Sequence, residues 1–182
     1  MGYAETFLIG IVGLVLSTLY FLIGVPGPLF LYGMTVGSIL ESGWRSAPMA
    51  EELRISTSAL KQIVDLTDQV EAVIRRSRVK EGLCSLFVTH TTAALTTGEV
   101  GEGTEDDLLE VVEKLIPRIR FRHAHDPAHA WSHMAASLLG PALAIPVSAG
   151  KLVLGTWQSV LLVELDGPRE RHVHLILMPS AS

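Results

Sequence analysis

The pattern of apolar and polar positions divides the chain into two parts. Phe7 to Val25 is a run of nineteen residues without a charged side chain, which is long enough to cross a bilayer as one helix. Pro26 and Pro28 follow it and would end a helix. The pattern therefore predicts a hydrophobic N-terminal segment over residues 1–48 and a domain over residues 49–182.

The N-terminal segment has two interpretations. In the first, Phe7 to Val25 is a single-pass membrane anchor. In the second, this run is part of an upstream extension from a misassigned start codon, because Met49 is a plausible first residue of a soluble domain. A secretory signal peptide fits poorly, since no positively charged residues precede the apolar run. Arg45 after the run favours a cytoplasmic domain. Mass spectrometry of the native N-terminus separates the two interpretations.

Three stretches of the domain show the period of an amphipathic helix. Residues 104–116 are the clearest: Thr104 is a candidate N-cap, acidic residues fill the first turn, and Pro117 stops the pattern. A second helix is predicted from Thr67, also as an N-cap, to the arginines near residue 78. A third is predicted over residues 128–139.

Strands are predicted wherever short apolar or alternating runs lie between turn residues. The predicted strands cover residues 53–57, 61–66, 83–89, 93–97, 143–147, 151–154, 156–165 and 171–178. Because helices and strands do not alternate as repeated βαβ units, the order predicts an α+β fold of mainly antiparallel sheets packed with about three helices.

Charge and cysteine content limit the classes of function. Nearly all of the 19 acidic and 14 basic side chains lie in residues 49–182, so the domain is mildly acidic and has no basic stripe to neutralise nucleic-acid phosphates. The single cysteine, Cys84, cannot form an intramolecular disulfide. It lies in an apolar run and is predicted to be a buried small hydrophobe, which a reducing compartment such as the cytoplasm would suit.

Histidines are concentrated in the middle of the domain. His129 and His133 are four residues apart and share a helix face if the third helix starts early enough. Neutral imidazoles at this spacing can share a divalent metal, although isolated histidines are often surface or capping residues. His90 at a strand end, together with His123 and His125, favours a polar pocket.

Three carboxylates are candidates for a base or a metal ligand. Asp106 and Asp107 lie in the first turn of a predicted helix, where the helix dipole alone explains acidic residues. Glu99 has no such explanation, but a solvated loop glutamate is also common.

Polar residues interrupt the apolar strand predicted at 156–165. Trp157 at its start is more often a core residue than a ligand platform. Gln158 would need hydrogen-bonding partners if it were buried, and Glu164 lies six residues further on the same strand face. The pair indicates either a lined cavity or a subunit interface.

Arg169 and Arg171 are two residues apart after an Asp-Gly-Pro turn. On a strand they would point the same way and could fork onto a phosphate or a carboxylate. The alternative is a salt bridge with Glu164, Asp166 or Glu170. Glycine-rich phosphate loops and serine-hydrolase elbows are absent from the sequence, which weighs against the common nucleotide-binding folds and serine hydrolases.

Six motifs occur together in a specific order. They are HTTAAL (90–95) with Glu99 downstream, an acidic helix start, FRH (121–123), SHMAASLLG (132–140), IPVSAGKLVLGTWQ (145–158) and ELDGPRER (164–171). With ISTSALKQIVDLT (55–67) before them, they closely resemble the YjbQ family, the secondary thiamine-phosphate synthase group. The resemblance covers nearly all of residues 49–182 and none of residues 1–48.

The resemblance implies a homotrimer with pockets near its subunit interfaces and a thiamine-phosphate synthase activity. It also implies a site that binds a phosphorylated small molecule, with a divalent metal such as zinc or magnesium. In this chain the implied catalytic residues are His90, Glu99 and His133, and the implied metal ligands are His90, His123 and His133. The implied substrate- and phosphate-binding residues are Trp157, Gln158, Glu164, Arg169 and Arg171. The chain departs from the family, which usually has asparagine at His129 and in the stretch holding Thr97 and Gly98.

Three hypotheses of function follow. The first is a metal-assisted enzyme that joins a pyrimidine pyrophosphate to a thiazole phosphate. The second is a non-catalytic trimer that binds a metal or a phosphorylated metabolite. The third is a metal-dependent hydrolase, because a pocket of histidines and glutamate could hold an activated water.

Overall fold

The computed structural model describes residues 48–117, 119–123, 127 and 129–180. The predicted hydrophobic segment over residues 1–48, with its possible anchor at residues 7–25, lies outside this part except for Pro48, and so does His125. Within the described ranges, no helix combines the length and the hydropathy that a membrane crossing needs.

The described residues form eight strands and three helices. The strands are β1 (Met49–Ser56), β2 (Gln62–Asp65), β3 (Gly82–Val88), β4 (Ala93–Gly98), β5 (Ala142–Ser148), β6 (Lys151–Leu152), β7 (Ser159–Glu164) and β8 (Glu170–Pro179). The helices are α1 (Thr67–Ser77), α2 (Thr104–Leu115) and α3 (Ala130–Leu139). This α+β composition confirms the predicted fold class.

The strands form two antiparallel sheets. The larger sheet has the order β1-β8-β3-β5-β6, and the smaller sheet has the order β2-β7-β4. In the smaller sheet β4 and β7 run antiparallel, so Ala93 pairs with Glu164 at one end and Gly98 pairs with Ser159 at the other. This register determines which polar residues can meet, because it places the two ends of the sheet at opposite sides of the domain.

The smaller sheet is covered on both faces. Val160 and Leu162 of β7 point into the core that the larger sheet and α1 complete. Val163 on the other face of β7, followed by Leu165, packs into a second cluster with residues of α2 and α3. Burial on both faces explains the continuous apolar run in β7, since a strand with one solvated face would alternate. Cys84 is buried in the first core, as predicted.

The larger sheet has one apolar outer face. Leu86 and Leu175 point into the core, so their neighbours Phe87, Ile176 and Met178 point away from it and remain exposed. An antiparallel sheet with one solvated face usually carries polar residues there. This outer face is instead partly apolar.

The turn after β7 is held closely against the segment after β1. Gly167 donates its backbone N–H to the carbonyl of Leu60 at 2.9 Å, and the Gly167–Pro168 peptide is cis. A Cβ at position 167 would lie 2.3 Å from the carbonyl oxygen of Ala59. Only glycine fits here without moving backbone atoms, and this contact fixes the start of residues 166–171.

The predicted N-caps were wrong by one residue at both helices. Leu66 precedes α1 and Gly103 precedes α2 in the N-cap positions, and neither makes a side-chain cap bond. The hydroxyl of Thr67 donates to Asp65 Oδ1 at 2.5 Å, and that of Thr104 donates to the carbonyl of Gly101 at 2.8 Å. Both threonines still tie the helix start to the preceding turn.

Candidate functional site: a histidine-lined cavity

Glu164 and Arg171 form a buried ion pair that connects the two sheets. Arg171 on β8 donates from Nε to Glu164 Oε2 at 2.7 Å and from Nη2 to Oε1 at 2.5 Å. The hydroxyl of Thr57 and the backbone N–H groups of Leu165 and Asp166 also donate to the carboxylate, each at 2.9 Å. All of these donors favour the charged form of Glu164.

The electrostatic balance at Glu164 follows from these contacts. Burial by itself would raise the pKa of Glu164, because removing a carboxylate from water disfavours its charge. The hydrogen bonds from Arg171, from the Asp166 N–H and from Thr57 outweigh burial and lower the pKa below its ordinary value. Glu164 is therefore an ionised partner of Arg171 at neutral pH.

The two arginines have different partners and different exposure. Arg171 is buried with Glu164 and also donates from Nη2 to Thr92 Oγ1 at 3.0 Å. Arg169 precedes β8, its side chain is 53% exposed, and its Nη2 lies 2.7 Å from Asp166 Oδ2. The salt-bridge alternative therefore describes both residues, and only Arg169 has a guanidinium open to solvent.

Three histidines converge beside this segment. One ring nitrogen from each of His123, His129 and His133 lies within 4.8 Å of the others, and the Nε2 atoms of His129 and His133 are 2.9 Å apart. His129 occupies the N-cap position of α3, and His133 follows one turn later on the same face. The expected i, i+4 pair is therefore present, with His123 supplied from the segment before it.

One acceptor orients His133, and a second carboxylate lies near His129 beyond hydrogen-bond distance. The Nδ1 of His133 lies 3.2 Å from the carbonyl oxygen of Thr91, and the Nδ1 of His129 lies 3.7 Å from Asp166 Oδ2. A histidine that donates through Nδ1 carries its proton there and leaves Nε2 free to bind a metal. The backbone turn after β3 and the turn after β7 thus both contact the histidine cluster.

The histidine trio fits a divalent metal by donor type, and the His129–His133 pair also comes close to the spacing that a metal needs. Three imidazoles with an open fourth position are a known ligand set for catalytic zinc, at Zn–N distances of roughly 2.0–2.1 Å, which places tetrahedral ligands about 3.3 Å apart. The Nε2 atoms of His129 and His133 are 2.9 Å apart and would have to move only slightly further apart to reach this value. The residues present therefore suit zinc better than magnesium, which prefers oxygen ligands.

His90 occupies the cavity but is engaged differently. Its Nε2 accepts the backbone N–H of His172 at 2.9 Å, and the two rings stack with centroids 5.6 Å apart. Burial, with the nearby charge of Arg171, lowers the pKa of His90. A neutral ring that accepts through Nε2 must carry its proton on Nδ1, so His90 offers a hydrogen-bond donor. The structure groups His129, and not His90, with His123 and His133.

Most of these residues line one cavity of about 500 Å³, and His123 lies beside it through its contacts with His129 and His133. Its wall comprises His90 to Thr92 after β3, His129 and His133 from α3, and Asp166 with residues 169–171. Arg171 forms part of its buried floor, and Arg169 and Glu170 stand at its exposed rim. The cavity therefore combines a candidate metal centre, an exposed cation and a neutral donor.

The remaining predicted site residues lie at the opposite end of the smaller sheet. β7 begins at Ser159, later than predicted, so Trp157 and Gln158 lie in the preceding turn. The Nε2 of Gln158 donates to Thr97 Oγ1 at 3.3 Å, and Glu99 is exposed after β4. Five residue steps along β7 separate this end from Glu164, or about 17 Å.

Both predicted residues at this end of the sheet are exposed, which removes the core alternative for Trp157. Trp157 is 74% exposed and is not a core residue. Gln158 is also exposed, and its side chain accepts the N–H of Gly155 at 2.8 Å, so it is no buried amide. The apolar run of β7 made the strand look longer than it is, because Gly155 and Thr156 belong to a turn.

Sequence reasoning missed Asp166 and Thr91 as site residues. Asp166 was considered only as a salt-bridge partner, although it directly follows the strand that ends at Glu164 and Leu165. Thr91 contributes its backbone carbonyl, which no side-chain pattern reports. Asp106 and Asp107 are exposed in the first turn of α2, a position where the helix dipole alone explains acidic residues.

Fold and cavity together define a class: an antiparallel α+β domain whose histidine-lined cavity opens at one end of a doubly covered sheet. Residues 51–180 match the family described as UPF0047 protein YjbQ-like. The chain belongs to this family, which confirms the predicted resemblance.

Relatives and solved structures agree on the extent of the domain. A UPF0047 protein of Archaeoglobus fulgidus is 42% identical over 123 residues, covering 67% of this chain and 95% of its own length. The UPF0047 protein YugU of Bacillus subtilis is 30% identical over 131 residues, covering 71% and 99%. The crystal structure of a YbjQ-like protein of unknown function from Sulfolobus solfataricus superposes with a TM-score of 0.70 at 38% identity, covering 74% and 99%. A hypothetical protein from Aeropyrum pernix superposes with a TM-score of 0.68 at 33% identity, covering 72% and 99%.

Proposed function

We propose that the domain is a zinc-dependent enzyme that acts on a phosphorylated small molecule. The observation that carries the proposal is the convergence of His123, His129 and His133 beside the cavity, with their ring nitrogens within 4.8 Å. A cavity of about 500 Å³ lies within the usual range for small-molecule sites. Arg169 supplies a solvent-accessible cation at its rim.

Each residue has a role that its contacts support. The histidine trio would hold the metal, which when bound would supply positive charge for an anionic leaving group. Arg169 would bind a phosphate group with its planar guanidinium. His90 would donate a hydrogen bond from Nδ1 to a substrate oxygen. Arg171 would keep the cavity floor in place through its ion pair with Glu164 and would not bind phosphate directly.

The first reaction that we assign is of the thiamine-phosphate-synthase type. The ring nitrogen of a thiazole phosphate attacks the methylene carbon of a pyrimidine methyl pyrophosphate. The new C–N bond forms as the C–O bond to pyrophosphate breaks, and pyrophosphate leaves with the bonding pair. The family resemblance and the cation at the rim of the cavity support this assignment.

The test of this reaction uses the full chain, the two precursors and zinc. We expect formation of thiamine phosphate, loss of at least tenfold in rate for His133→Ala, and an unchanged rate for His174→Ala. His174 is a matched control because it lies on the exposed face of β8, near Glu52 and away from the cavity wall. Equal rates in the two variants would refute the role of the histidine trio.

A second candidate reaction is metal-dependent hydrolysis of a phosphorylated substrate. The specific observation in its favour is the three-histidine set, since such sites bind a metal that lowers the pKa of a bound water. Release of inorganic phosphate from phosphomonoesters without any condensation product would favour it. Tight zinc and phosphate binding with no turnover would instead assign a non-catalytic binding protein.

We also propose that the chain assembles as a homotrimer. Support comes from the exposed apolar residues Phe87, Ile176 and Met178 on the outer face of the larger sheet. Further support comes from the position of Trp157 at the end of β7 away from Glu164, because a second subunit could bring its own Trp157 to this cavity. Light scattering of the full chain should give three times the monomer mass, and Ile176→Glu should lower it. A monomeric wild-type protein would refute the assembly.

The cellular location remains a prediction. We propose that the domain works in the cytoplasm, which the buried thiol of Cys84 is compatible with. The anchor predicted at residues 7–25 is tested by the native N-terminus and by membrane fractionation.

A further inference from the structure

Asp166 lies between the two parts of the cavity to which the proposed function assigns binding roles. Its Oδ2 is 2.7 Å from Arg169 Nη2 and 3.7 Å from His129 Nδ1. The same oxygen therefore faces both the candidate phosphate-binding cation and a candidate metal ligand. Its side chain is only 15% exposed, so neighbouring groups limit where the carboxylate can turn.

We propose that Asp166 is a positioning residue that couples metal binding at the histidine trio to anion binding at Arg169. The inference rests on the proposed function, because it needs a metal at the trio. Asp166 itself contacts neither the metal nor the substrate in this arrangement.

The contact with His129 is incomplete in the structure. A separation of 3.7 Å exceeds the range of a hydrogen bond. A carboxylate that accepts the Nδ1–H of a metal-binding histidine fixes the ring tautomer and makes Nε2 a stronger ligand. Moving Asp166 towards His129 would therefore strengthen metal binding.

Arg169 holds Asp166 away from that contact. The guanidinium donates from Nη2 to Oδ2 and from Nε to the backbone carbonyl of Asp166, both at 2.7 Å. An incoming phosphate competes for the same donors, since a guanidinium binds phosphate through two parallel hydrogen bonds. An anion on Arg169 then releases Asp166 for His129.

The other cavity carboxylates cannot serve this purpose. Glu164 is saturated by Arg171, Thr57 and two backbone donors. Glu170 lines the cavity, but its Oε1 lies 3.3 Å from Nε2 of His172, which is not one of the trio. Glu170 therefore provides a matched control, since its neutralisation removes the same charge from the same cavity.

The first experiment measures zinc affinity by competition with a chromophoric chelator. We expect Asp166→Asn to weaken zinc binding by about 10–100-fold, the usual effect of losing the partner behind a metal-binding histidine. Glu170→Gln should stay within about threefold of wild type. Circular dichroism melts verify that both variants are folded, and an equal loss in both would overturn the positioning role.

The second experiment adds inorganic phosphate and Arg169→Gln. Phosphate should tighten zinc binding in wild type, and zinc should tighten phosphate binding by the same factor. Arg169→Gln should tighten zinc binding without phosphate, because it frees Asp166. This gain should disappear in the double variant with Asp166→Asn, which separates release of Asp166 from simple loss of a repelling cation.

The outcomes distinguish this inference from the proposed function. If phosphate strengthens zinc binding equally in wild type and Asp166→Asn, the anion contacts the metal directly and the coupling through Asp166 is refuted. If the wild-type chain binds no zinc, or if His133→Ala leaves its zinc affinity unchanged, the metal centre itself is refuted and the coupling with it.

Discussion

At the scale of single residues, the most consequential contact is the ion pair between Glu164 and Arg171. Both side chains are almost completely buried, and the carboxylate accepts hydrogen bonds from side chains and from backbone. Such a pair contributes less to net stability than its geometry suggests, because both ions lose their hydration. Removing one partner is more damaging, because the other charge stays buried without compensation.

Glu164→Gln is therefore expected to destabilise the fold by about 3–5 kcal/mol, as measured by chemical unfolding. Glu110→Gln is the matched control, since Glu110 pairs with Lys114 on the exposed surface of α2, and such pairs contribute less than about 1 kcal/mol. Similar losses of unfolding free energy in the two variants would show that breaking the buried pair costs no more stability than breaking a surface pair.

The same residue predicts how stability depends on pH. The pKa of Glu164 is lower in the folded protein than its ordinary value of 4.5. Its charged form therefore contributes stability above pH 4.5, and this contribution is lost as the pH falls through the folded pKa. Wild type should lose stability between pH 4.5 and lower pH more steeply than Glu164→Gln. Parallel curves would contradict this prediction.

His90 gives a second prediction at this scale. Its Nε2 accepts a backbone N–H and its pKa is lowered below the ordinary 6.5, so at pH 6.5 the neutral ring with its proton on Nδ1 should predominate. Nitrogen-15 NMR of labelled histidines, assigned with His90→Gln, measures this directly. A protonated Nε2 at pH 6.5 would contradict it.

At the scale of elements, the turn between β7 and β8 positions Asp166 and Arg169. Gly167→Ala would place a Cβ 2.3 Å from the carbonyl oxygen of Ala59 and 2.9 Å from Glu164 Cγ. Because a backbone atom must move, we expect a loss of about 1–3 kcal/mol in the free energy of unfolding.

Gly155→Ala is the control for that substitution. A Cβ there would meet only the flexible, exposed side chain of Gln158, with its amide oxygen at 3.3 Å and two carbons at 3.8 Å, and no backbone atom. Its stability should stay within about 0.5 kcal/mol of wild type. A comparable loss at both glycines would show that backbone contact at position 167 is unimportant.

The elements also show what the sequence could predict. Helix and strand patterns located most elements to within a few residues, because periodicity reports burial directly. β7 was overextended because the apolar run does not mark the turn that holds Trp157 and Gln158. The N-caps were displaced by one residue because Thr67 and Thr104 bond to the turns just before them, at Asp65 and Gly101, and each stands as the first residue of its helix.

The site was predictable only in part, because contacts between segments distant in sequence build much of it. Histidine spacing indicated the pair on α3, and two alternatives for the arginines were visible in the sequence. The contribution of Asp166 and the separate engagement of His90 depend on how the turns after β3 and β7 meet. No local pattern reports that residues 76 positions apart, such as His90 and Asp166, line one cavity.

At the scale of the whole molecule, the proposed metal connects α3 to the segment that carries His123. Zinc that binds only the folded protein should raise its melting temperature, with a gain of about 2.7 kcal/mol when free zinc is 100 times the dissociation constant. His133→Ala should abolish this gain, and His174→Ala should retain it. Thermal unfolding with and without a chelator measures both. Stabilisation that persists in His133→Ala would place the metal elsewhere.

The residues below the cavity and those at its rim also differ in burial. Arg171 comes from the larger sheet and Glu164 from the smaller one, so their contact joins both layers directly below the cavity. Thr91, Arg169 and Glu170 are exposed above this joint. Selectivity for a new ligand can therefore be sought by randomising these three positions. The fold should tolerate the changes, because the buried ion pair beneath them stays intact.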